Sequence, residues 1–567
     1  MNQGSEKLWH AQYPEDIPIT IDYDKKPLHD YLKERASKHP KMKALYFVGK
    51  ELTFEEVYTQ SKKIAAYLQS LGVEKGDRVA IMLPNTPQAV ISYYGVLLAG
   101  GIVVQTNPLY QERELEYQVQ DSGAKVIICL DILLPKVSNV KETTGLEHVI
   151  VTQIKEYLPF PKNLIYPYVQ KKQYNLVVKL EESSDTHLWN KILQKNNVQI
   201  KEYDIDPQED LALLQYTGGT TGYPKGVMLT HYNLVANGLM SIAWLGKREE
   251  QDIVLGVLPF FHVYGMTTVM NYSIMTGAKM ILLPKFEPED VLKTIEKQRP
   301  TVFPGAPTIY IALLNHPKVK QFDLSSVNAC VSGSAPLPSE VQEQFEKITN
   351  GNLVEGYGLT ESSPVTHSNF LKLRRVNGSV GVPWPDTDAR IMDMETMEEV
   401  EPGEIGEIAV KGPQVMKGYW NREEETNNVL KDGWLFTGDI GYMDEKGYFY
   451  VVDRKKDMII AGGYNIYPRE VEEVLYEFEG IQEVVIAGIP DPYRGETVKA
   501  YVVAKQGWDL NEEELDVFCR KRLAAYKVPR IYEFMDELPK TAVGKILRRK
   551  LVEEDKKKME TAASESV

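Results

Sequence analysis

The first 150 residues alternate short apolar runs with polar, helix-periodic segments, a pattern typical of α/β proteins. The clearest example lies between Arg78 and Glu112, where no charged residue occurs. Prolines and a Gly-Gly pair interrupt this stretch, whereas a membrane-spanning helix needs about 20 continuous apolar residues. We therefore predict a buried β-α-β unit with strands at Val79–Leu83 and Ile102–Gln105 and a helix at Pro87–Leu98. Such alternation predicts a mostly parallel sheet with helices on both faces.

The same periodicities predict elements on either side of this unit. Before residue 150 we expect helices at 29–38, 53–71 and 111–122 and a strand at 125–130. Thr53-Phe-Glu-Glu56 has the form of a capping box at the start of the second helix. After residue 210 we expect strands at 253–258, 279–283, 301–303 and 329–332 and helices at 287–298 and 339–347.

The C-terminal third changes character and predicts the domain organisation. Short runs separated by Gly and Pro predict a β-rich subdomain at about 376–452. Residues 454–567 predict a compact α+β unit, with helices at 468–477 and 511–523, strands at 484–489 and 498–503, and a frayed polar end at 553–567. The predicted fold class is α/β: a large N-terminal domain of α/β sheets at 1–453, which includes the β-rich subdomain, and a small α+β C-terminal domain at 454–567.

Length and composition limit the domain number, the function and the cellular compartment that we expect. A chain of 567 residues is too long for one core. Its formal net charge of −15 makes general nucleic-acid binding a poor interpretation. Cys129, Cys330 and Cys519 form no CxxC pair and suit a reducing compartment. The N-terminus lacks a signal-peptide pattern, so we expect a cytoplasmic location.

The most informative loop follows the apolar run Leu211–Leu214. Between 217 and 225 it carries three Thr, three Gly and one Lys, namely Thr217, Gly218, Gly219, Thr220, Thr221, Gly222 and Lys225. Glycines let the backbone approach a ligand, and successive N–H groups form an anion-binding concavity. The spacing is neither a Walker A loop nor the dinucleotide-binding Gly-x-Gly-x-x-Gly. A flexible surface loop is the simpler alternative, but this density of donors after an apolar strand favours phosphate binding.

Other segments carry residues suited to a nucleotide. In Gly356-Tyr357-Gly358-Leu359-Thr360-Glu361, a tyrosine between glycines can present its ring to a purine, and the glutamate can hold Mg²⁺ through oxygen. Asp439 can accept from both hydroxyls of a ribose, and the guanidinium of Arg454 suits the same diol or a phosphate. Taken singly, Asp439 reads as a turn residue and Arg454 as part of a solvated charge run.

Together these segments resemble the adenylate-forming superfamily, and 432–468 and 151–206 resemble bacterial long-chain fatty acid–CoA ligases. The resemblance covers nearly the whole chain. It implies ATP, Mg²⁺ and CoA as cofactors or co-substrates and a fatty acid as substrate. It also implies that residues 217–225 hold phosphates, that Tyr357 lies against adenine, and that Thr217 and Glu361 lie near Mg²⁺. Gly356, Gly358 and Thr360 belong to the same adenine motif.

The resemblance assigns further roles by position. Asp439 and Arg454 are expected to hold ribose, and Lys456 to be the hinge between the domains. Gly462 and Gly463 are expected to line the pantetheine tunnel once the small domain has rotated. Lys545, in Pro539-Lys-Thr-Ala-Val-Gly-Lys545, is expected to bridge the carboxylate and the α-phosphate; the alternative is one more basic residue in a basic tail.

Two apolar motifs border the expected acyl pocket. Pro259-Phe-Phe-His262 resembles the motif beside the carboxylate pocket, so we expect His262 to face substrate, although a lone His in an apolar stretch is more often a packed core residue. Gly333, Ser334 and Ala335 resemble the segment that borders the acyl pocket and the adenine site.

Residues 151–206 leave two interpretations open. Aromatic residues and prolines are interleaved there with five lysines and one acid between 151 and 180. This suits peripheral contact with the inner face of a membrane. A solvated insertion, or a subunit contact in a homodimer, fits equally, because no clean amphipathic helix is visible.

The expected reaction is activation of a long-chain fatty acid by ATP to an acyl-adenylate with release of pyrophosphate, followed by thioester formation with CoA and release of AMP. A CoA ligase for medium-chain or aromatic acids, or an enzyme that passes the acyl group to a carrier protein, has the same motifs. A binding-only protein is a different class, and it would be expected to lack Lys545, Glu361 or Asp439, all of which are present. A membrane-tethered scaffold would depend on 151–206 alone.

Overall fold

The computed structural model describes residues 7–196, 198–217, 224–246, 251–372, 375–461, 464–491, 494–541 and 546–565. The strands in chain order are β1 Lys43–Phe47, β2 Lys50–Thr53, β3 Arg78–Met82, β4 Ile102–Gln105, β5 Val126–Leu130, β6 His148–Thr152, β7 Thr186–Leu188, β8 Leu211–Thr217, β9 Lys225–Thr230, β10 Ile253–Gly256, β11 Lys279–Leu282, β12 Ala329–Ser332, β13 Asn352–Gly358, β14 Val365–Ser368, β15 Val382–Pro383, β16 Asp388–Met392, β17 Gly406–Lys411, β18 Gly418–Tyr419, β19 Leu430–Lys431, β20 Trp434–Met443, β21 Phe449–Arg454, β22 Ile459–Ala461, β23 Tyr464–Ile466, β24 Ile481–Asp491, β25 Gly495–Ala504 and β26 Ile531–Phe534.

The α-helices are α1 Leu28–Lys38, α2 Phe54–Ser70, α3 Pro87–Leu98, α4 Glu112–Ser122, α5 Leu134–Thr143, α6 Lys162–Tyr174, α7 Trp189–Gln194, α8 His231–Leu245, α9 Val263–Gly265, α10 Tyr272–Thr276, α11 Pro288–Gln298, α12 Pro307–Leu314, α13 Ser339–Thr349, α14 Glu423–Val429, α15 Pro468–Tyr476, α16 Glu512–Arg520 and α17 Arg548–Glu565. A π-helical stretch, Met266–Asn271, joins α9 to α10. The chain divides into two compact units, one of residues 1–388 and 410–435 and the other of 389–409 and 436–567. The mixed α/β class is confirmed, while the domain boundary at 453 stays a prediction.

The first unit is built around an eight-stranded sheet of order β18-β9-β8-β4-β3-β5-β6-β7. The strands from β8 to β7 are parallel, and β9 and β18 add antiparallel partners at the other edge. The predicted β-α-β unit forms β3, α3 and β4 at its centre. Every residue of α3 is buried, as expected for a helix that is apolar on all sides.

A second sheet of the first unit supplies another set of strand ends. Its first part has the order β2-β1-β11-β10, and its second part the order β12-β13-β14-β15. Val302 forms parallel bridges to both Val254 of β10 and Ala329 of β12, which joins the two parts. The strand predicted at 301–303 is therefore only this bridge. Parallel pairing of β12 with β13 brings their carboxyl ends to the same edge.

Local signals explain where the helices of this unit begin. The Thr53 hydroxyl accepts a hydrogen bond from the Glu56 backbone N–H, and the Glu56 carboxylate accepts one from the Thr53 N–H. The predicted capping box is thus confirmed at the start of α2. The helix then buries its apolar face, including Val57, Ile64 and Leu68.

The second unit contains two smaller sheets. In one, β17 pairs with β16 and β20, and β21 pairs with β20. In the other, the long antiparallel pair β24–β25 has β22 and β26 beside β25. Helices α15 and α16 bury Val471, Leu475 and Leu515 against this second sheet. The predicted α+β character of this region is confirmed.

The prediction of a frayed C-terminal end is wrong for most of its length, because α17 continues to Glu565. The buried carboxylate of Asp555 accepts hydrogen bonds from Lys499 Nζ at 2.6 Å and from the Tyr501 hydroxyl. Leu551 is buried as well. A polar sequence therefore forms a docked helix, because residues on β25 donate hydrogen bonds to its buried carboxylate. Composition alone does not reveal these partners.

Two negative findings concern the described parts of the chain. None of the helices is long and apolar enough to cross a membrane. The three cysteines are buried and free.

Candidate functional site

The Gly/Thr loop connects two neighbouring antiparallel strands, β8 and β9. Thr217, the last residue of β8, is paired in register with Lys225, the first residue of β9. The loop is thus the turn of a hairpin at one end of the central sheet. Gly218, Gly219, Thr220, Thr221 and Gly222 lie outside the described residues. The structure gives the two residues that bracket the loop, one with a hydroxyl and one with an ammonium group.

Glu361 is tied to this hairpin through Tyr419. The Tyr419 hydroxyl donates to Glu361 Oε1 at 2.7 Å, and Lys225 Nζ lies 5.0 Å from the centre of the Tyr419 ring. Backbone pairing of Tyr419 with Val227 places β18 beside β9. The backbone N–H of Met416 also donates to the Glu361 carbonyl at 2.8 Å. Residues from three distant segments therefore meet beside the loop.

The protonation state of Tyr419 makes it a donor. Burial and the neighbouring Glu361 carboxylate raise the pKa of the Tyr419 hydroxyl. The hydroxyl is therefore protonated at neutral pH and orients the carboxylate through its Oε1 atom. Sequence reasoning missed Tyr419, because a tyrosine in a two-residue strand gives no signal until the pairing with β9 is known.

The residues present fit a magnesium ion held mainly by substrate. Within the described ranges, no group of three or more His, Cys, Asp or Glu side chains forms a metal cluster. The Glu361 side chain uses Oε1 toward Tyr419, and among these residues no donor reaches Oε2. Mg²⁺ in nucleotide sites takes one or two carboxylates and completes its shell with water and phosphate. A single oriented glutamate beside the Gly/Thr loop matches that donor set.

The carboxyl ends of β12 and β13 bring two predicted segments together. Gly333, Ser334 and Ala335 follow β12, and Gly356, Tyr357 and Gly358 end the parallel neighbour β13. Ligands commonly bind at this edge of parallel strands. Ser334 is exposed and adopts a left-handed φ of 73°. This conformation is uncommon for a residue with a side chain and is often found at functional sites.

Tyr357 occupies the middle of this edge. Its ring is half-buried and lies 5.7 Å, between centroids, from the ring of His367 on β14. A Cβ atom on Gly358 would lie 1.9 Å from the Pro364 carbonyl oxygen, so only glycine fits there. Thr360 begins the short turn that leads to Glu361. One face of the Gly356–Glu361 motif is thus packed against β14.

His262 is half-buried and caps the helix that starts at Val263. Its Nδ1 atom accepts a hydrogen bond from the Tyr264 backbone N–H at 3.3 Å. In the neutral imidazole the proton is therefore on Nε2. The preceding carbonyl, of Phe261, accepts from Gln215 Nε2 at 2.9 Å, which ties the segment to β8 two residues before Thr217. Gln215 is a sequence feature that could have indicated this contact, since a glutamine in an apolar strand needs a buried hydrogen-bond partner.

The second unit pairs the two residues expected to bind ribose. Asp439 on β20 and Arg454 on β21 are opposite each other in register, and Arg454 Nε lies 3.2 Å from Asp439 Oδ1. The Asp439 side chain is only 8% exposed. Glu407, which sequence reasoning missed, accepts from the Gly438 N–H at 3.0 Å and from Lys455 Nζ at 2.9 Å. These bonds fix the chain on both sides of the pair.

Of the remaining predicted residues of this unit, the structure describes only Lys456. Lys456 follows Arg454 and Lys455 and is exposed. Gly462, Gly463 and Lys545 lie outside the described residues. Their roles stay predictions.

Asp453 is a buried carboxylate next to Arg454. It accepts hydrogen bonds from the backbone N–H groups of Arg454 at 2.7 Å and Arg469 at 2.8 Å, and Arg548 Nη1 lies 3.8 Å away. Burial raises the pKa of Asp453 to about 6, and Glu472 adds to this rise, while Arg548 and the two N–H groups oppose it. The region beside the predicted ribose pair therefore contains a group that titrates in mildly acidic solution.

Two family models match the chain. A model described as AMP-binding enzyme matches residues 32–420, and a model described as AMP-binding enzyme C-terminal domain matches residues 470–545. A curated relative from Bacillus subtilis (strain 168), named long-chain-fatty-acid–CoA ligase, is 59% identical over 553 residues, which are 97% of this chain and 98% of the relative.

Solved structures resemble the chain over most of its length. ATP-bound MatB from Rhodopseudomonas palustris has a TM-score of 0.82 at 30% identity and covers 94% of this chain and 99% of its own. The anthranilate CoA ligase AuaEII in complex with anthranoyl-AMP has a TM-score of 0.82 at 29% identity, covering 94% and 97%.

We predict that Asp453 makes the stability of the protein depend on pH. The folded-state pKa of about 6 lies above the ordinary value of 3.8, so between these values the folded protein binds more protons than the unfolded chain. The free energy of unfolding should therefore fall as pH rises from about 4 to about 6, by up to ~3 kcal/mol from this group. Urea unfolding of the wild type and Asp453→Asn across this range tests it. Parallel pH curves for the two proteins would contradict the assignment.

Proposed function

We infer the reaction from one premise: the chain belongs to the AMP-binding enzyme family, and its relatives there include long-chain-fatty-acid–CoA ligases. It uses ATP to activate a long-chain fatty acid as an acyl-adenylate, and then forms the CoA thioester. The observation that carries this conclusion is the 59% identity to a named ligase over 97% of the chain. The acyl-AMP bound in a structural relative agrees with an adenylate intermediate.

The first step joins two anions, the carboxylate of the acid and the triphosphate of ATP, which repel each other. We propose that residues of the first unit offset this repulsion. A carboxylate oxygen of the fatty acid attacks the α-phosphorus of ATP, and the bond to the β-phosphate oxygen breaks, so the electron pair leaves with pyrophosphate. We propose that residues 217–225 bind the β- and γ-phosphates through backbone N–H groups, hydroxyls and the Lys225 ammonium. The hairpin position of Thr217 and Lys225 supports this role. Preorganised donors of this kind stabilise charge that develops in a transition state.

We propose that Glu361 and Thr217 hold Mg²⁺. The bond from Tyr419 to Glu361 Oε1 supports this, because it orients the carboxylate beside the loop. When bound, Mg²⁺ neutralises phosphate charge. The protein's own contribution is to keep one carboxylate oxygen oriented by a protonated hydroxyl.

We propose nucleoside-binding roles for residues of each unit. Tyr357 would lie against adenine, bordered by Gly333, Ser334 and Ala335. Asp439 would accept from the ribose hydroxyls, since a carboxylate can accept from both. Its ion pair with Arg454 supports this role by fixing the orientation of a nearly buried carboxylate. His262 would face the carboxylate of the acid.

The second step requires the thiol of CoA to reach the acyl carbon. The sulfur attacks that carbon, the bond to the AMP oxygen breaks, and AMP leaves with the electron pair. We propose that Lys545 serves only the first step, and that rotation about Lys456 then brings Gly462 and Gly463 to the tunnel. In this proposal residues 1–453 and 454–567 are the two moving parts.

The decisive test is a panel of acids assayed for CoA-dependent release of AMP. Palmitate and oleate should be good substrates and octanoate a weaker one, because each buried methylene contributes about 0.8 kcal/mol, or roughly fourfold in kcat/KM. Benzoate should give no product. A preference for benzoate would replace the fatty acid by an aromatic substrate, and AMP release that needs a carrier protein instead of CoA would contradict the thioester step.

Lys545→Ala should separate the two half-reactions. Loss of its charge should lower fatty acid-dependent pyrophosphate exchange by about 100-fold or more. Thioester formation from supplied acyl-adenylate should change by less than about threefold, since the lysine acts before that step. Lys550→Ala, an exposed neighbour in the same basic tail, is the matched control and should behave as wild type. Equal loss in both half-reactions would reject the division of roles.

A second proposal concerns where the enzyme works: we propose that α6 docks on the inner face of a membrane from the cytoplasm. Phe160 and Tyr168 are each 78% exposed, Leu164 is 64% exposed, and Ile165 and Val169 are also exposed. At helical spacing Leu164, Ile165, Tyr168 and Val169 form one apolar stripe on α6, and Phe160 lies just before the helix. The sequence pattern did not reveal the stripe, because Pro167 interrupts it. Contiguous exposed apolar patches of this kind mark interaction sites.

The chemistry around the stripe favours lipid over another protein. Lys171 and Lys172 lie in the last turn of α6, and both are exposed. Lysines beside an apolar stripe suit anionic headgroups above acyl chains. The substrate itself is a long-chain acid that partitions into membranes. Gln170 anchors the other face of α6 by donating to Asp131 Oδ2 at 3.1 Å.

One aromatic residue of the 151–206 segment belongs to the core. Tyr157 is buried, bonds to the Gln60 side chain and accepts from Trp189 Nε1 at 3.3 Å. Deleting the region would therefore damage the first unit, and substitutions confined to the stripe are the better test.

The double variant Leu164→Glu/Tyr168→Glu should lower binding to phosphatidylglycerol vesicles by about 100-fold or more, because each exposed side chain contributes roughly 1.5–3 kcal/mol when buried in lipid. Vesicle flotation measures this. Val517→Glu/Ile531→Glu, two exposed apolar sites elsewhere, adds the same charge and should not alter binding. Unchanged flotation together with loss of a dimer in gel filtration would assign the stripe to a second copy of the chain.

A further inference from the structure

Arg548 joins three segments of the second unit. It is the first residue of α17, and its Nη1 atom lies 2.9 Å from Asp457 Oδ2 while its Nη2 atom lies 2.6 Å from Glu472 Oε1. Asp453 is 3.8 Å away. Asp457 follows β21, and Glu472 is on α15. One guanidinium therefore connects the start of the C-terminal helix, the predicted hinge segment and a core helix.

The electrostatics favour a fixed arrangement. The Arg548 side chain is 20% exposed, and its partners are 26%, 15% and 4% exposed in the order Asp457, Glu472 and Asp453. Burial alone would lower the pKa of Arg548, but the three carboxylates outweigh it and raise the pKa. A planar guanidinium can bind carboxylates in different directions at once, which a lysine cannot do.

Residues on either side of 542–545 contact each other. The Leu547 backbone N–H donates to the Pro539 carbonyl at 2.8 Å, and Lys540 and Ile546 form an antiparallel bridge. Lys540 Nζ also pairs with Glu483 Oε1 at 2.5 Å. Lys540 and Ile546, which flank the segment that contains Lys545 in the sequence, are thus held next to each other, and Arg548 follows two residues after Ile546. In the sequence, Lys545 stands three residues before Arg548.

We propose that Arg548 is a positioning residue for the adenylation step, because its ion pairs with Asp457 and Glu472 fix the base of the Lys545 segment to the hinge segment and to α15. The inference rests on the roles proposed above for Lys545 and Lys456. Misplacing a catalytic group by about 1 Å can cost on the order of 100-fold in rate. Lysine has four rotatable side-chain bonds, so its reach depends on a fixed backbone origin.

Helix α17 has independent anchors, so Arg548 is not needed to keep the helix in place. Lys499 Nζ lies 2.6 Å from Asp555 Oδ2, and Lys558 Nζ lies 2.9 Å from Glu533 Oε1. These pairs hold the helix to β25 and β26 further along its length. An Arg548 variant should therefore fold with α17 docked.

The test measures both half-reactions of the full-length enzyme in two backgrounds. Arg548→Ala should lower palmitate-dependent pyrophosphate exchange by about 10- to 100-fold and change thioester formation from supplied palmitoyl-adenylate by less than about threefold. In the Lys545→Ala background the same substitution should add less than about threefold to the loss of exchange, because Arg548 acts through Lys545. Arg548→Lys should recover part of the rate.

Arg549→Ala is the matched control. Arg549 is the next residue of α17 and pairs with Glu553 at the surface, so its loss should leave both half-reactions unchanged. Glu472→Gln is a second, milder variant: it removes one charge but keeps an oxygen to accept the Ile486 N–H, and it should lower exchange selectively as well. This variant tests the positioning role if Arg548→Ala does not fold.

Two results would overturn the proposal. Equal losses in both half-reactions, or an equal factor in the wild-type and Lys545→Ala backgrounds, would show a general structural role. Wild-type rates in Arg548→Ala or Glu472→Gln would remove the role altogether. Absence of palmitate-dependent exchange in the wild-type enzyme would instead contradict the proposed function, so the two failures are distinguishable.

Discussion

The antiparallel pairing of β9 with β8 is the constraint on which the proposed nucleotide site depends. β8 lies in a run of parallel strands, and the Gly/Thr loop reverses the chain at the end of β8. The reversal sets Lys225 opposite Thr217 and offers the outer edge of β9 to Tyr419. The Tyr419 hydroxyl then fixes Glu361. A shift of one residue in this register would turn alternate side chains to the other face and separate these groups.

The two units use different interactions for similar tasks. In the first unit, backbone ladders and strand ends position the polar groups. In the second unit, ion pairs position the polar groups. They are Asp439 with Arg454, Glu407 with Lys455, and Arg548 with Asp457 and Glu472. A net-negative chain that binds an acid and a triphosphate needs its cations held at fixed positions. Carboxylates placed around each cation provide that, at the cost of desolvating them.

Sequence reasoning was most accurate where one strong pattern decided the structure. The β-α-β unit around α3 was predicted almost to the residue, since its apolar run and its Pro and Gly breaks admit few alternatives. Contacts between distant segments were not predictable. Tyr419 and Glu361 are 58 residues apart, and nothing in either segment signals the other. The docked helix α17 was missed because Asp555 is buried by partners on β25, and the stripe of α6 because Pro167 conceals the period.

The proposed rotation of residues 454–567 places a demand on the charged groups of that part. If it presents different segments to the same substrate in successive steps, each segment must keep its place relative to the axis while the part turns. Hydrophobic packing fixes the interior of such a unit, but it does not fix a surface loop that has to enter a polar site. Directional ion pairs can fix such a loop, because the planar guanidinium binds carboxylates only in certain orientations. Asp457 lies next to Lys456 in the sequence, so the Arg548 cluster links the predicted axis directly to the segment that carries Lys545.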